Sequence, residues 1–79
     1  MPRGLHNWTF TDIVNFLRAH GFHETHSRGS HFYYAGHYEG EPRQTHIQFH
    51  GAKAIHPRTL KSVIRQSGIS QKEWLDRDQ

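Results

Sequence analysis

The chain has 79 residues, enough for one domain spanning 1–79, and no cysteine, so disulfides, cysteine-type zinc fingers and thiol nucleophiles are excluded. Ten Lys and Arg residues against seven Asp and Glu residues give a net charge of +3, which permits nucleic-acid binding without establishing it. No apolar run has the length of a signal-peptide core or a membrane span, so we expect a soluble, cytoplasmic protein.

The first predicted element is a helix that begins near residue 10. Apolar side chains recur there with the spacing i, i+3, i+4 and i+7, which is typical of a helix with one buried face. These side chains are Phe10, Ile13, Val14 and Leu17, with Phe16 on the flank. Thr9 and Asp12 are spaced as a capping box, and Gly21 suits the left-handed residue that ends a helix.

Three short strands are predicted next, over residues 22–28, 31–38 and 43–50. Gly29 and Ser30, between the first two strands, are the signal of a type II′ hairpin turn. Residues 39–42 are predicted to form a four-residue loop between the second and third strands. Alternation in the last strand divides its side chains between two faces, with Thr45, Ile47 and Phe49 on one and His46, Gln48 and His50 on the other.

A second helix is predicted from Pro57, which suits the first helical position, to Gly68, which suits the end. Its apolar stripe consists of Leu60, Val63 and Ile64. Ser70 and Glu73 are spaced as a capping box for a short third helix. The order of elements predicts an α+β fold, in which two helices cover one face of a three-stranded antiparallel sheet and leave the other face free.

The register predicted for the last two strands pairs apolar side chains on the covered face, Phe32 with Phe49 and Tyr34 with Ile47. This register sets His31 opposite His50 on the free face, and the Gly29-Ser30 turn sets Arg28 opposite His31. A slip by two residues that pairs Tyr33 with His50 is the alternative. The prediction is a row of three basic side chains across the open face, Arg28, His31 and His50.

This row holds the groups that RNA cleavage requires. When a 2′-hydroxyl attacks the adjacent phosphate, a base takes its proton, an acid protonates the leaving 5′-oxygen, and positive charge stabilises the phosphate oxygens. Imidazole can perform either proton transfer near neutral pH. Arg28 and Lys53 are candidate phosphate contacts, and Tyr33 is a candidate for stacking on a base. Because so small a domain has a thin core, we expect the site to be a surface groove.

The nine histidines also suggest metal binding. His23 with His26, and His46 with His50, are close in sequence, but the chain has no HExxH motif and no acidic residue that clearly completes a site. We therefore predict no metal ion and no other cofactor. A basic stripe on the second helix is either a solvated face or a contact for RNA or an acidic partner. It consists of Arg58, Lys61 and Arg65.

Motifs spread over residues 12–75 resemble the HicA family of bacterial toxins. They are Ala19-His20-Gly21-Phe22, Arg28-Gly29-Ser30-His31-Phe32, His50-Gly51-Ala52-Lys53, Ile55-His56-Pro57-Arg58-Thr59-Leu60 and Ile64-Arg65-Gln66-Ser67-Gly68-Ile69-Ser70. The resemblance implies a fold similar to the double-stranded-RNA-binding domain (dsRBD) and a metal-independent ribonuclease acting on mRNA. It also implies a HicB-like antitoxin that covers the active face. The family's catalytic histidine corresponds to His31 and its preceding glycine to Gly29, whereas Gln48 stands where the family often has proline.

The leading hypothesis is therefore the mRNA interferase toxin of a type II toxin–antitoxin system, with His31 transferring a proton and His50 as its candidate partner. The predicted RNA contacts are Arg28, Gly29, Ser30, Tyr33, Lys53, Arg58, Lys61 and Arg65. We expect a monomer when the toxin is free and a higher-order complex with antitoxin. Two alternatives stay open, a non-catalytic RNA-binding module of dsRBD-like fold and an inactive toxin relative that serves as a protein-binding scaffold.

Overall fold

The computed structural model describes residues 5–49 and 51–76, which form three helices and one antiparallel sheet with the strand order β1-β2-β3. The elements in chain order are α1 (Phe10–Ala19), β1 (His23–Arg28), β2 (His31–Tyr38), β3 (Glu41–Gln48), α2 (Pro57–Ser67) and α3 (Gln71–Asp76). The α+β fold is confirmed, because the buried side chains of the helices share one core with those of the sheet. No helix in the described ranges has the length and apolar character needed to cross a bilayer.

The predicted capping box begins α1. The Asp12 backbone N–H donates to Thr9 Oγ1 at 3.2 Å, and the Thr9 backbone N–H donates to Asp12 Oδ2 at 3.0 Å. The helix buries three residues of the predicted stripe, Ile13, Val14 and Leu17, together with Phe16 from its flank, whereas Phe10 is only partly buried. Gly21, at φ +85°, follows the helix end. Phe22 then turns into the core, so β1 starts one residue later than predicted.

Both predicted ends of α2 are confirmed. Pro57 occupies the start, and His56 caps the helix because its Nδ1 accepts the Arg58 backbone N–H at 3.0 Å. Gly68 ends the helix in the left-handed conformation, with φ +77°. The Arg43 side chain from β3 lies so close to Gly68 that a Cβ there would come within 2.5 Å of Arg43 Nε. The guanidinium thus lies at the C-terminal end of α2, where the helix dipole favours positive charge.

The two hairpins turn differently from each other. Gly29, at φ +61°, and Ser30 form the predicted two-residue turn, with Arg28 paired to His31. The second turn is also only two residues long, because Glu39 and Gly40 have φ of +54° and +80° and Tyr38 pairs with Glu41. These two angles are those of a type I′ turn, whose twist matches that of the flanking strands. The prediction of a four-residue loop was wrong, and β3 begins at Glu41.

The short second turn shifts the register of β3 by two residues from the prediction. Phe32 pairs with Ile47 rather than with Phe49, and Tyr34 pairs with Thr45 rather than with Ile47. Phe49 lies beyond β3, 48% exposed, with its ring centroid 5.1 Å from that of Phe10. Thr45 takes a buried position, where its hydroxyl is satisfied by donating to Gln66 Oε1 at 2.8 Å.

The short helix α3 closes the core. Trp74 is fully buried, with its ring stacked on Phe16 at a centroid distance of 3.9 Å and with Trp8 at 5.5 Å. Glu73 donates its backbone N–H to Ser70 Oγ at 3.4 Å, as the predicted capping box requires. Its carboxylate, however, accepts from the Tyr38 hydroxyl and contacts His20 Nε2 at 3.1 Å. Glu73 therefore ties α3 to β2 and to the end of α1.

Candidate functional site

The open face of the sheet carries two adjacent rows of side chains, each crossing all three strands. The turn row, nearest the Gly29-Ser30 turn, follows the pairings Arg28↔His31 and His31↔Gln48. The ring row follows the pairings His26↔Tyr33 and Tyr33↔His46. Because strand side chains alternate between faces, both rows lie opposite the buried Tyr34 and Ile47.

The turn row confirms one predicted neighbour of His31 and corrects the other. Arg28 lies across the hairpin from His31, as predicted, where opposed Cβ atoms are about 4.5–5.5 Å apart. On the other side, the residue opposite His31 is Gln48, so the predicted pairing with His50 was wrong. The reason is the two-residue second turn, which slides β3 along β2. His50 itself lies outside the described residues.

The turn that precedes His31 is tied to the end of β3 by two hydrogen bonds. The Phe49 backbone N–H donates to the Ser30 carbonyl at 2.7 Å, and Gln48 Nε2 donates to Ser30 Oγ at 3.4 Å. The first of these bonds extends the sheet by one contact beyond the last paired residue. Together they fix the backbone from which the half-buried His31 side chain projects.

The ring row is a column of stacked aromatic side chains. The centroids of His26 and Tyr33 are 4.3 Å apart, with the rings 8° from parallel. The centroids of Tyr33 and His46 are 5.5 Å apart, at 28°. Since Tyr33 thus has a histidine ring on either side, a nucleobase could stack on Tyr33, as predicted, only by displacing one of them.

His31 and His46 come together diagonally across β2 and β3. Their ring centroids are 6.3 Å apart, with 43° between the ring planes. Both line a pocket of about 130 Å³ where β3, the edge strand, meets α2. The rest of the lining is mostly neutral and polar, consisting of Gln48, Thr59, Ser62, Val63 and Gln66. Such a site is small, lies at the surface, and offers hydroxyl and amide groups around two imidazoles.

The ring nitrogens of the histidines divide into two groups. His20, His26 and His56 each have a ring nitrogen hydrogen-bonded to a protein group. Within residues 5–49 and 51–76, neither His31 nor His46 makes such a bond. The two imidazoles of the pocket therefore keep their donor and acceptor atoms for another molecule.

A larger pocket, of about 330 Å³, lies at the opposite end of the open face. It includes His23 and His37 together with Ala35, Gly36, Pro42, Arg43 and Gln44. None of the predicted site residues contributes to it. Residues 39–42, predicted to be a loop between the second and third strands, instead belong to the hairpin that builds this end of the sheet. Because size alone indicates no chemistry, the smaller pocket with His31 is the better candidate.

The remaining predicted cations lie elsewhere. Lys53 is exposed in the connection between β3 and α2 and does not line the His31 pocket. The basic stripe of α2 is exposed and points away from the side of the helix that lines the pocket; it consists of Arg58, Lys61 and Arg65. Arg28, Gly29 and Ser30 are the predicted contacts that lie next to His31, in the first hairpin, and they too lie outside the pocket lining. In the described part of the chain, no three potential metal ligands come together.

His46 is the pocket residue that the sequence interpretation missed, having considered it only as a metal ligand with His50. It was missed because Glu39-Gly40 is not among the dipeptides that favour a two-residue turn. The two-residue turn observed there places Tyr33 opposite His46, two pairs along from His31 and on the same face. The position of α2 beside β3 had no comparable local signal, because it depends on tertiary packing.

The chain matches the model of one protein family, described as HicA toxin of bacterial toxin-antitoxin, over residues 10–69. The matched range runs from the first residue of α1 to just beyond α2 and includes every residue that lines the His31 pocket. No curated protein and no solved structure gives a match.

Proposed function

The chain belongs to the HicA toxin family of bacterial toxin–antitoxin systems, and on that premise we propose that it is an endoribonuclease that cleaves mRNA and so blocks translation. The observation that carries the proposal is the placement of His31. His31 is paired with Arg28 across the first hairpin, directly after a constrained turn, and its ring lines a polar pocket without a hydrogen bond to any described protein group. An imidazole in that setting is available to transfer a proton to or from a bound substrate.

The proposed reaction uses the substrate's own 2′-hydroxyl as the nucleophile. The bond between the 2′-oxygen and phosphorus forms while the bond between phosphorus and the 5′-oxygen breaks. The proton leaves the 2′-hydroxyl for a base, and an acid supplies one to the departing 5′-oxygen. The products are a 2′,3′-cyclic phosphate and a free 5′-hydroxyl. Atoms and charges balance without a cofactor, and His31 performs one of the two proton transfers.

Arg28 is the cation best placed to stabilise the reacting phosphate. It lies directly across the hairpin from His31, and its guanidinium can donate two parallel hydrogen bonds to phosphate oxygens. Gly29 and Ser30 set the backbone between these two side chains. Lys53 and the basic stripe of α2 would contact phosphates outside the pocket, adding affinity that falls as salt rises.

The family implies an antitoxin partner, and we propose that a HicB-like antitoxin covers the open face of the sheet. The open face holds both the turn row and the ring row, so a protein bound there would exclude RNA from His31. We also propose that the toxin works in the cytoplasm, where mRNA is translated, and that it is a monomer until antitoxin binds.

The test is cleavage of a defined mRNA by the purified protein in the presence of EDTA, comparing wild type, His31→Ala and His37→Ala. His37 is an exposed histidine on the same face of β2, in the other pocket, so its variant controls for general loss of imidazole. We expect His31→Ala to lower the cleavage rate by about 10²–10⁴-fold, the usual contribution of such a group. His37→Ala should cleave like wild type and should arrest growth when expressed.

Three results would oppose the proposal. A folded His31→Ala variant that still cleaves would remove His31 from the mechanism. Loss of cleavage in EDTA, with recovery when zinc is added, would favour the hypothesis that the histidines bind a catalytic metal ion. Salt-dependent RNA binding by wild type with no cleavage would favour the non-catalytic RNA-binding module, for which the exposed Arg58, Lys61 and Arg65 would suffice.

A further inference from the structure

The proposed reaction needs two proton-transfer groups, and the Gly29-Ser30-His31 motif supplies one. We propose that His46 is the second, so that His31 and His46 act as an acid–base pair on one phosphodiester. The inference rests on the proposed function and adds to it a second catalytic residue. It is supported by the geometry of the pocket, because the His31 and His46 side chains line the same cavity.

The separation of the two rings suits this role. A catalytic acid or base must come within about 2.6–3.2 Å of the atom with which it exchanges a proton. Two imidazoles whose centroids are 6.3 Å apart can therefore each reach a different oxygen of a phosphodiester bound between them. The lining from α2 is neutral and polar, provided by Thr59, Ser62 and Gln66, so within the pocket the phosphate charge is met by the protonated ring. Arg28 lies outside the lining, across the first hairpin from His31.

No other described neighbour of His31 on the open face can take the second role. Arg28, on β1, does not give up its proton in proteins, and Gln48, on β3, does not titrate. The α2 residues that line the pocket are uncharged. Tyr33 and His26, which form the ring row with His46, do not line the pocket, and His26 Nδ1 is hydrogen-bonded to Thr25 Oγ1 at 3.1 Å. His46 is therefore the pocket residue besides His31 whose side chain can act as a general acid or base.

The ring row gives His46 a defined orientation. Tyr33 lies against one face of His46, and His26 in turn covers the other side of Tyr33. An exposed histidine on an edge strand otherwise samples several rotamers. Tyr33 is accordingly a positioning residue for His46. In the reaction one imidazole begins neutral and takes the 2′-hydroxyl proton, the other begins protonated and gives its proton to the 5′-oxygen, and exchange with water restores both.

The decisive experiment measures single-turnover cleavage of a short RNA against pH for wild type, His46→Gln and the matched control His37→Gln. Wild type should show a bell-shaped profile, because one imidazole must be neutral and the other protonated. His46→Gln should lose about 10²–10⁴-fold in rate and one limb of the bell. His37→Gln should keep both the rate and the bell.

A substrate with sulfur in place of the 5′-oxygen at the cleavage site separates the roles, because a thiolate leaves without an acid. Whichever of His31→Gln and His46→Gln has lost the acid should regain most of its rate on this substrate, while the other variant should not. Tyr33→Leu should lower the rate and leave both limbs of the bell in place. Rescue of both variants, or of neither, would overturn the acid–base pair.

These experiments distinguish failure of the acid–base pair from failure of the proposed ribonuclease function. If wild type does not cleave, or if His31→Ala cleaves normally, the proposed function fails. If His31 is required but His46→Gln keeps the wild-type rate and profile, only the pair is overturned. Should His46→Gln fold poorly, the imidazole NMR signals of the wild-type protein provide the second measurement. Both the His31 and His46 signals should shift when a non-cleavable 2′-deoxy oligonucleotide binds, and a shift of His31 alone would contradict the pair.

Discussion

The two faces of the sheet consist of alternate residues of the same strands, and they differ in what surrounds them. On the covered face Tyr34, Thr45 and Ile47 are buried against the helices. On the open face, one residue along from each, Tyr33, His46 and Gln48 remain accessible; Tyr33 stacks on His46, and His46 and Gln48 line one pocket. Along each strand, residues that contribute to stability therefore alternate with residues that contribute to the proposed chemistry. Substitutions on the helix side should therefore change unfolding, and substitutions on the open side should change cleavage.

The largest effect on unfolding should come from Trp74→Ala, on the helix side. Trp74 is fully buried and stacked on Phe16, and truncating a buried large aromatic side chain costs about 3–5 kcal/mol. In a domain this small, such a loss takes most of the stability. Urea unfolding followed by circular dichroism would measure it.

Trp74→Phe is the matched control for this prediction. The buried Trp74 Nε1 has no hydrogen-bond partner among the described residues, so phenylalanine removes an unsatisfied donor while keeping an aromatic ring. We expect a clearly smaller loss than for alanine. Equal losses in the two variants would show that ring packing is not what Trp74 contributes.

Gly68→Ala should have the next largest effect. A Cβ at this position would lie 2.5 Å from the Arg43 side chain. Alanine would also have to adopt the left-handed backbone conformation of Gly68, with φ +77°. We expect a loss of about 1–3 kcal/mol from backbone strain, with the displacement of Arg43 adding to it. Thermal unfolding would measure the difference.

Gly21→Ala provides the comparison for Gly68→Ala. Gly21 also follows a helix and has φ +85°, but a Cβ there would meet nothing within 4 Å. It should lose only the strain, so the difference between the two variants isolates the contact with Arg43. If both variants lose the same stability, the close approach of Arg43 carries no cost.

A smaller and pH-dependent effect should come from Glu73→Gln. The hydrogen bond with Glu73 raises the pKa of Tyr38 to about 12, and the same bond lowers the pKa of Glu73 below 4.5. The folded state therefore favours neutral Tyr38 and ionised Glu73. This contribution to stability is present between about pH 4.5 and pH 10, and it is lost in stronger acid and as pH rises from 10 toward 12.

Ultraviolet titration of the phenolate would test this link. In Glu73→Gln the Tyr38 phenol should titrate nearer its ordinary value of 10, and Tyr38→Phe would assign the late-titrating signal. The assignment is needed because burial also raises the pKa of Tyr34. An unchanged late titration in Glu73→Gln would show that Glu73 is not its cause.

The smallest change in stability should follow from replacing both pocket histidines, His31→Gln with His46→Gln. Neither ring is fully buried or hydrogen-bonded within the described residues, and surface substitutions of this kind fall within about ±0.5 kcal/mol. The double variant should thus unfold like wild type while failing to cleave RNA. A large loss of stability would show that open-face residues also stabilise the fold, contrary to the proposed division of roles between the two faces.

The elements predicted from sequence were those with local signals. The capping box at Thr9, the proline that starts α2 and the Gly29-Ser30 turn each act within a few residues, and each is confirmed. The register of β3 carried no such signal. A slip of two residues leaves every side chain on its own face, so the alternation of Thr45 and Ile47 fits either register.

What decided the register was the turn, and its sequence was misleading. Glu39 adopts φ +54°, a conformation uncommon for residues other than glycine, so Glu39-Gly40 did not indicate a type I′ turn. The error moved the expected partner of His31 from Gln48 to His50 and concealed His46. The site around His31 could thus be predicted as far as the first hairpin reaches, and no further.

The sheet is built from one uninterrupted stretch of chain, from His23 to Gln48, folded through two tight turns. Contacts between residues near in sequence form rapidly, and a chain leaves the ribosome N-terminus first. The open face with both histidines can therefore assemble during synthesis, before α2 has emerged to wall the pocket. The pocket is then completed only when α2, from the last third of the chain, packs beside β3.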